Sequence, residues 1–213
     1  MLHFYDHLRA VDYYQRGLAN SLKLMFGGVC EVRTEWDAML RSEKAFCPPR
    51  QRYRRRMYSP AVDIAVGPFA TDRRYIDDYD QLLSAFRPVV ERLLNQHHEN
   101  LLRFDSDFLG PDFQTVRYGN QNARCFVAIE IEKGNPAAKY LIGSALNAAA
   151  LGRIGIVVCW NEDRLQSLFR IREYLCQLTA LEKNAFSAQN LLVLTREQLP
   201  ESLSAWPIDP FTS

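Results

Sequence analysis

The sequence predicts an α/β fold, and three observations carry that expectation. Apolar runs such as RCFVAIEIEK, RIGIVVCW and NLLVLT are short enough for strands and apolar along most of their length. Stretches with helical spacing of apolar residues separate them, which is the pattern of parallel strands covered on both faces. At 213 residues and 47% hydrophobic content, the chain can build one large core.

Residues 3–25 carry helical periodicity, with Leu8, Val11, Leu18 and Leu22 among the apolar positions, and stop at Gly27-Gly28. TEWDAMLRSEKA, 34–45, predicts a second helix with Thr34 as its cap. In SPAVDIAVGPF a strand over about 61–66 puts Val62, Ile64 and Val66 on one face and Asp63 among small residues on the other. From Asp77 to about Arg103 one long amphipathic helix is expected, part of a helical insertion at about 70–110. A short strand near 113–118 precedes the strand 124–132. A helix over 136–151 follows, opened by Asn135 and Pro136 and closed by Gly152. Strand 153–160, helix 163–182 and strand 190–195 complete a single domain, the last two elements belonging to a C-terminal extension at about 161–213.

Several function classes are disfavoured. No run of eighteen apolar residues occurs, so no membrane span is expected. The stretch MLHFYDHLRAVDYY lacks the pattern of a signal peptide, and five cysteines without a CxxC pair point to reduced thiols. A cytoplasmic location is the expectation. No GxxxxGK[ST] is present, ALGRIG lacks the dinucleotide-binding order, and Ser144 and Ser167 sit in predicted helices. His97-His98 has no partner at zinc spacing and reads as a surface pair.

Carboxylates carry the chemical signal. On the strand 124–132, Ala128, Glu130 and Glu132 share a face, and on the earlier strand Asp63 lies between Ala61 and Ala65. A buried carboxylate must be paired, protonated or metal-bound. If the two strands are neighbours, Asp63, Glu130 and Glu132 converge as hard oxygen ligands for Mg²⁺, with Mn²⁺ as a substitute. Such an ion can polarise a phosphodiester and help generate hydroxide. Just upstream, PPRQRYRRRMY gathers Arg50, Arg52, Arg54, Arg55 and Arg56 with Tyr53 and Tyr58, suited to phosphates and bases. The plain alternatives are a turn cap or arginine partner for Asp63, a salt bridge for Glu130 and a solvated arginine loop.

An aspartate on one strand, a Glu-x-Glu ending the next and a helix packed behind it resemble the PD-(D/E)xK nuclease superfamily, over roughly residues 31–160. The resemblance implies a restriction-endonuclease-like three-layer core with a central mixed sheet: helix, three mostly antiparallel strands, helix, strand. It implies that Asp63 and Glu130 are metal-binding acids, with Glu132 where a lysine is usual. Lys133 or Lys139 would then supply the lysine, and Glu35, with Glu31 in reserve, the acid of the first helix. The implied activity is metal-dependent nuclease action on nucleic acid, DNA before RNA, by a homodimer using the 77–103 helix as interface. Two other readings stay open: an inactive nuclease-fold binding or assembly module in a defence or repair complex, and a small-molecule enzyme with an acidic metal site.

Overall fold

The computed structural model describes residues 2–38, 61–71, 73–104, 106, 110–132, 137–183 and 187–204. Among these the elements run α1 (Leu2–Phe26), β1 (Val32–Asp37), β2 (Ala61–Val66), α2 (Ile76–Ala85), α3 (Arg87–Arg103), α4 (Phe113–Gly119), β3 (Cys125–Ile131), α5 (Ala138–Leu151), β4 (Gly152–Cys159), α6 (Glu162–Ala180), β5 (Leu191–Thr195) and α7 (Gln198–Ser204). The strands form one mixed sheet in the order β1-β2-β3-β4-β5. β1, β2 and β3 pair antiparallel, and β3, β4 and β5 pair parallel.

The apolar run of β4 is explained by its place: all eight of its residues are buried. One face of the sheet, with Ile64, Ile129, Ile131, Ile156 and Leu192, packs on α1, α3 and α7 through Leu18, Leu22, Val90, Leu93 and Leu199. The other face, with Val157 and Val193, is covered by α5 and α6 through Leu141, Ala145, Leu165 and Phe169. The result is a three-layer α/β/α arrangement.

The small residues of α5 let it lie close to the strands. A Cβ on Gly155 would stand 2.7 Å from the backbone of Ala148, so only glycine permits this approach. Helix and strand join directly, since Gly152 caps α5 and begins β4. Asn120 and Asn190 donate to the last carbonyls of α5, Ala149 O among them, and to Gly152 O. These amides satisfy the acceptors that every helix end leaves open.

Four sequence expectations are corrected. The predicted helix 34–45 begins in a strand, β1, while 39–45 lie outside the described residues. Glu35 takes φ 49°, and the buried positions of β1, Val32 and Trp36, fall four apart, imitating helical spacing. The predicted strand near 113–118 is the helix α4, capped by Asp112, whose Oδ1 accepts from Thr115 N at 2.6 Å. Thr115, Val116 and Tyr118 suggested a strand, but the cap decides the local structure. The long helix over 77–103 is two helices broken at Phe86, because Pro88 lacks an N–H and fits only a first turn. The cap pair Asn135 and Pro136 lies outside the described residues, and Ala137 occupies the cap position of α5.

The fourth correction concerns His97, which is fully buried rather than at the surface. β5 is a sheet edge, and α3 seals it: Val193 N donates to His97 Nδ1 at 3.0 Å, and Asn100 Nδ2 donates to Val193 O at 3.2 Å. Gln198 of α7 exchanges hydrogen bonds with Asn100 and accepts from Thr195 N. An open edge is a template for wrong pairing, and side chains close this one.

At the far end of β4 the fully buried Arg153 donates to Asp80 Oδ1 at 2.6 Å and to Asn120 O at 2.9 Å. Asp80 also meets Arg117 of α4 at 3.2 Å. Two substitutions measure these constraints by urea unfolding. Gly155→Ala forces a clash with the backbone of α5 and is expected to lower stability by about 1–3 kcal/mol. Asp80→Ala strands the Arg153 charge in the interior and is expected to cost about 3–5 kcal/mol.

Candidate active site

The paired register of β2 and β3 runs from Val66↔Val127 to Ile64↔Ile129. The next residues on the two strands are Asp63 and Glu130. There the Asp63 side chain takes over the pairing, its Oδ2 accepting from Ile131 N at 2.7 Å. The carboxylate is fixed by the same backbone that carries Glu130, and small neighbours, Ala65 and Ala128, lie beside the pair.

Glu130 of β3 and Glu132, just past its end, each have a partner on α5. Asn147 Nδ2 donates to Glu130 Oε1 at 3.3 Å. Ser144, one turn earlier on α5, hydrogen-bonds Glu132. Glu130 and Asp63 are half-buried, whereas Glu132 is buried at 5% exposure. Burial pushes the Glu132 carboxyl above the usual range, and the Asp63 charge pushes the same way. The Ser144 hydrogen bond and the Arg164 cation of α6 act against that shift.

The third layer also reaches the site. Gln15 of α1 is buried, and its Nε2 donates both to Glu35 Oε1 at 2.8 Å and to Asp63 O at 3.1 Å. One amide nitrogen therefore ties α1 to β1 and β2 at the strained Glu35 position.

The sequence-predicted residues are placed unequally. Asp63, Glu130 and Glu132 come to one end of the β2–β3 pair on the side facing α5. Glu35, expected on a helix, lies exposed on β1 and reaches the site only through Gln15. Glu31 forms a surface ion pair with Arg33 at 2.6 Å. Lys139 is exposed, its ammonium 4.9 Å from the centroid of the Tyr140 ring. Lys133 and the segment with Arg50, Arg52, Arg54, Arg55 and Arg56 lie outside the described residues.

Among the described residues, no three His, Cys, Asp or Glu side chains are gathered so that they could hold a metal ion. Glu132 is buried against Ser144, and burial pushes its carboxyl above the usual range, which disfavours the charged form that a metal ligand needs. Mg²⁺, however, keeps several waters and needs only one or two carboxylates beside substrate phosphates. Asp63 and Glu130 fit that smaller set.

Sequence reasoning missed Gln15, Ser144, Asn147 and Arg164. Gln15 carried a signal, as a polar residue in the apolar stripe Val11, Gln15, Leu18, Leu22. Ser144 and Asn147 likewise interrupt an alanine-rich helix at a spacing of three, one face of a helix. No protein-family model, curated protein or solved structure matches the chain. Among the described residues no helix is long and apolar enough to cross a membrane.

The Glu132 carboxyl gives a pH-dependent expectation. A folded-state pKa raised above the unfolded value of 4.5 means that stability is lost as pH rises through the folded value. Glu132→Gln removes that loss. Its melting temperature relative to the native protein should be a few degrees higher at pH 7 and unchanged or lower near pH 4, read by calorimetry.

Proposed function

We propose that this chain is a Mg²⁺-dependent nuclease of restriction-endonuclease-like fold, acting on DNA. The observation that carries the reading is the placement of Asp63 and Glu130 where β2 and β3 part, with α5 packed behind them. The element order supports it: a helix, three antiparallel strands, a helix and a parallel strand, with α1 in place of the predicted second helix.

Bound between these carboxylates and a substrate phosphate, Mg²⁺ would supply the positive charge that polarises the phosphodiester. The protein's own groups have separable tasks. The backbone of Ile131 holds the Asp63 carboxylate in one orientation, and Asn147 does the same for Glu130. Glu132 is buried beside Asp63, which pushes its carboxyl above the usual range, and Arg164 adds an opposing positive charge there. Lys133 or Lys139 is the lysine assigned to the attacking water, while Arg50, Arg52, Arg54, Arg55 and Arg56 are assigned to the phosphate backbone.

Cutting both strands of a duplex calls for two such sites, hence a homodimer. The segment 77–103, expected as the interface, forms α2 and α3, whose apolar sides are buried on the sheet through Leu83, Val90, Leu93 and Leu94. A dimer contact on these helices would use their polar sides.

One observation favours a second reading, a nuclease-fold binding or assembly module that does not cut. Glu132 stands where a lysine is usual.

The test is cleavage of supercoiled plasmid, single-stranded DNA and RNA with Mg²⁺, Mn²⁺ or chelator. Metal-dependent cutting of DNA is expected, with Asp63→Ala and Glu130→Ala each lowering it by about a hundredfold or more. DNA retention without cutting under either metal would select the binding module. Neither cutting nor retention would end both readings.

A further inference from the structure

The side of α5 that serves the carboxylates continues past them. Asn147 meets Glu130, and Ser144 meets Glu132. Residues three and four apart are neighbours on a helix surface, so Tyr140 stands in the same row, one turn before Ser144. Helical side chains lean toward the amino end of their helix, which carries the Tyr140 ring further along that row. Its Cα lies roughly 10 Å along the axis from that of Asn147.

This end of the row is open. Tyr140 is 58% exposed, so most of its ring adds nothing to the core. Of the exposed tyrosines Tyr13, Tyr118, Tyr140 and Tyr174, only Tyr140 sits on the helix whose side chains hydrogen-bond Glu130 and Glu132. Gly143 belongs to the same side of α5, and a Cβ added there would meet nothing within 4 Å beyond its own helix. The row therefore has acids at one end, a ring at the other and no bulk at the glycine between them. The Lys139 ammonium, 4.9 Å from the ring centroid, adds a positive charge beside it.

We propose that Tyr140 is a stacking platform for an unpaired base, whose strand presents a neighbouring phosphate to Asp63 and Glu130, so that the substrate is single-stranded DNA. The inference rests on the nuclease reading, which supplies the nucleic acid, and adds the form in which it is taken. Within a duplex the faces of a base are covered by its neighbours, and taking the base out costs unstacking energy. A single strand offers those faces at once. Every base has a π face, so such a contact accepts any sequence. The ring, not the hydroxyl, makes the contact.

The test is the fluorescence anisotropy of labelled oligothymidylate and of a duplex of equal length, titrated with the protein in chelator so that nothing is cut. Tighter binding of the single strand is expected. Tyr140→Ala should weaken that binding about tenfold or more, whereas Tyr140→Phe should stay within about twofold of the native protein. The exposed position leaves both variants folded. No binding of the single strand, a duplex bound as tightly, an alanine variant that loses nothing, or a phenylalanine variant as weak as alanine would each overturn the proposal. The cleavage assay separates this from the nuclease reading. Binding that depends on Tyr140 in a protein that cuts no DNA would end the nuclease and keep the platform. Cutting that ignores Tyr140 would end the platform and keep the nuclease.

Discussion

The close approach of α5 to the sheet is the contact on which the rest depends. It is permitted by Gly155 opposite Ala148 and by a helix-to-strand join with no intervening loop. Because the helix sits so near, side chains as short as Ser144 and Asn147 reach carboxylates on β3. A bulkier residue at 155 would raise the helix and slacken both contacts. Packing and the candidate chemistry therefore share one geometric requirement. The amides of Asn120 and Asn190 belong to it as well, since they hold the end of α5 against the start of β4.

The opposite layer has a different task. α1 and α3 supply apolar mass over the strands, but each also sends polar groups to backbone that the sheet leaves unpaired. Gln15 serves the carbonyl of Asp63 where β2 leaves β3, and His97 with Asn100 serves the outer edge of β5. Backbone groups removed from water need partners. Here the partners at the weak points of the sheet come from helices that precede those points in sequence. Asp80 of α2 in turn neutralises the buried Arg153 at the start of β4.

The parallel half of the fold was legible because its signals are local and strong. β3, β4 and β5 are near-continuous apolar runs, and the helices between them carry apolar periodicity. β1 was not legible, since the left-handed turn of the backbone at Glu35 destroys alternation and spaces Val32 and Trp36 like a helix. α4 was hidden by residues of high strand propensity, although its cap at Asp112 was readable. For the candidate site, Asp63 and Glu130 were singled out because carboxylates on apolar strands are conspicuous. The supporting residues were overlooked because glutamine, serine and asparagine are ordinary on helices until the partner across the layer is known. The state of Glu132 depends on burial in three dimensions, which spacing along a strand does not reveal.

The bond from Ile131 N to Asp63 joins residues 68 apart in the chain, with α2, α3 and α4 between them. By contrast β3, α5 and β4 are contiguous. Short loops close at little entropic cost, and long ones are expected to close later in folding. A chain that has formed only β3–α5–β4 already presents Glu130 to Asn147 and Glu132 to Ser144, but it lacks Asp63. Completion of the carboxylate set thus waits on a long-range closure. A half-folded chain, exposed and near other molecules in the cell, would carry an incomplete site.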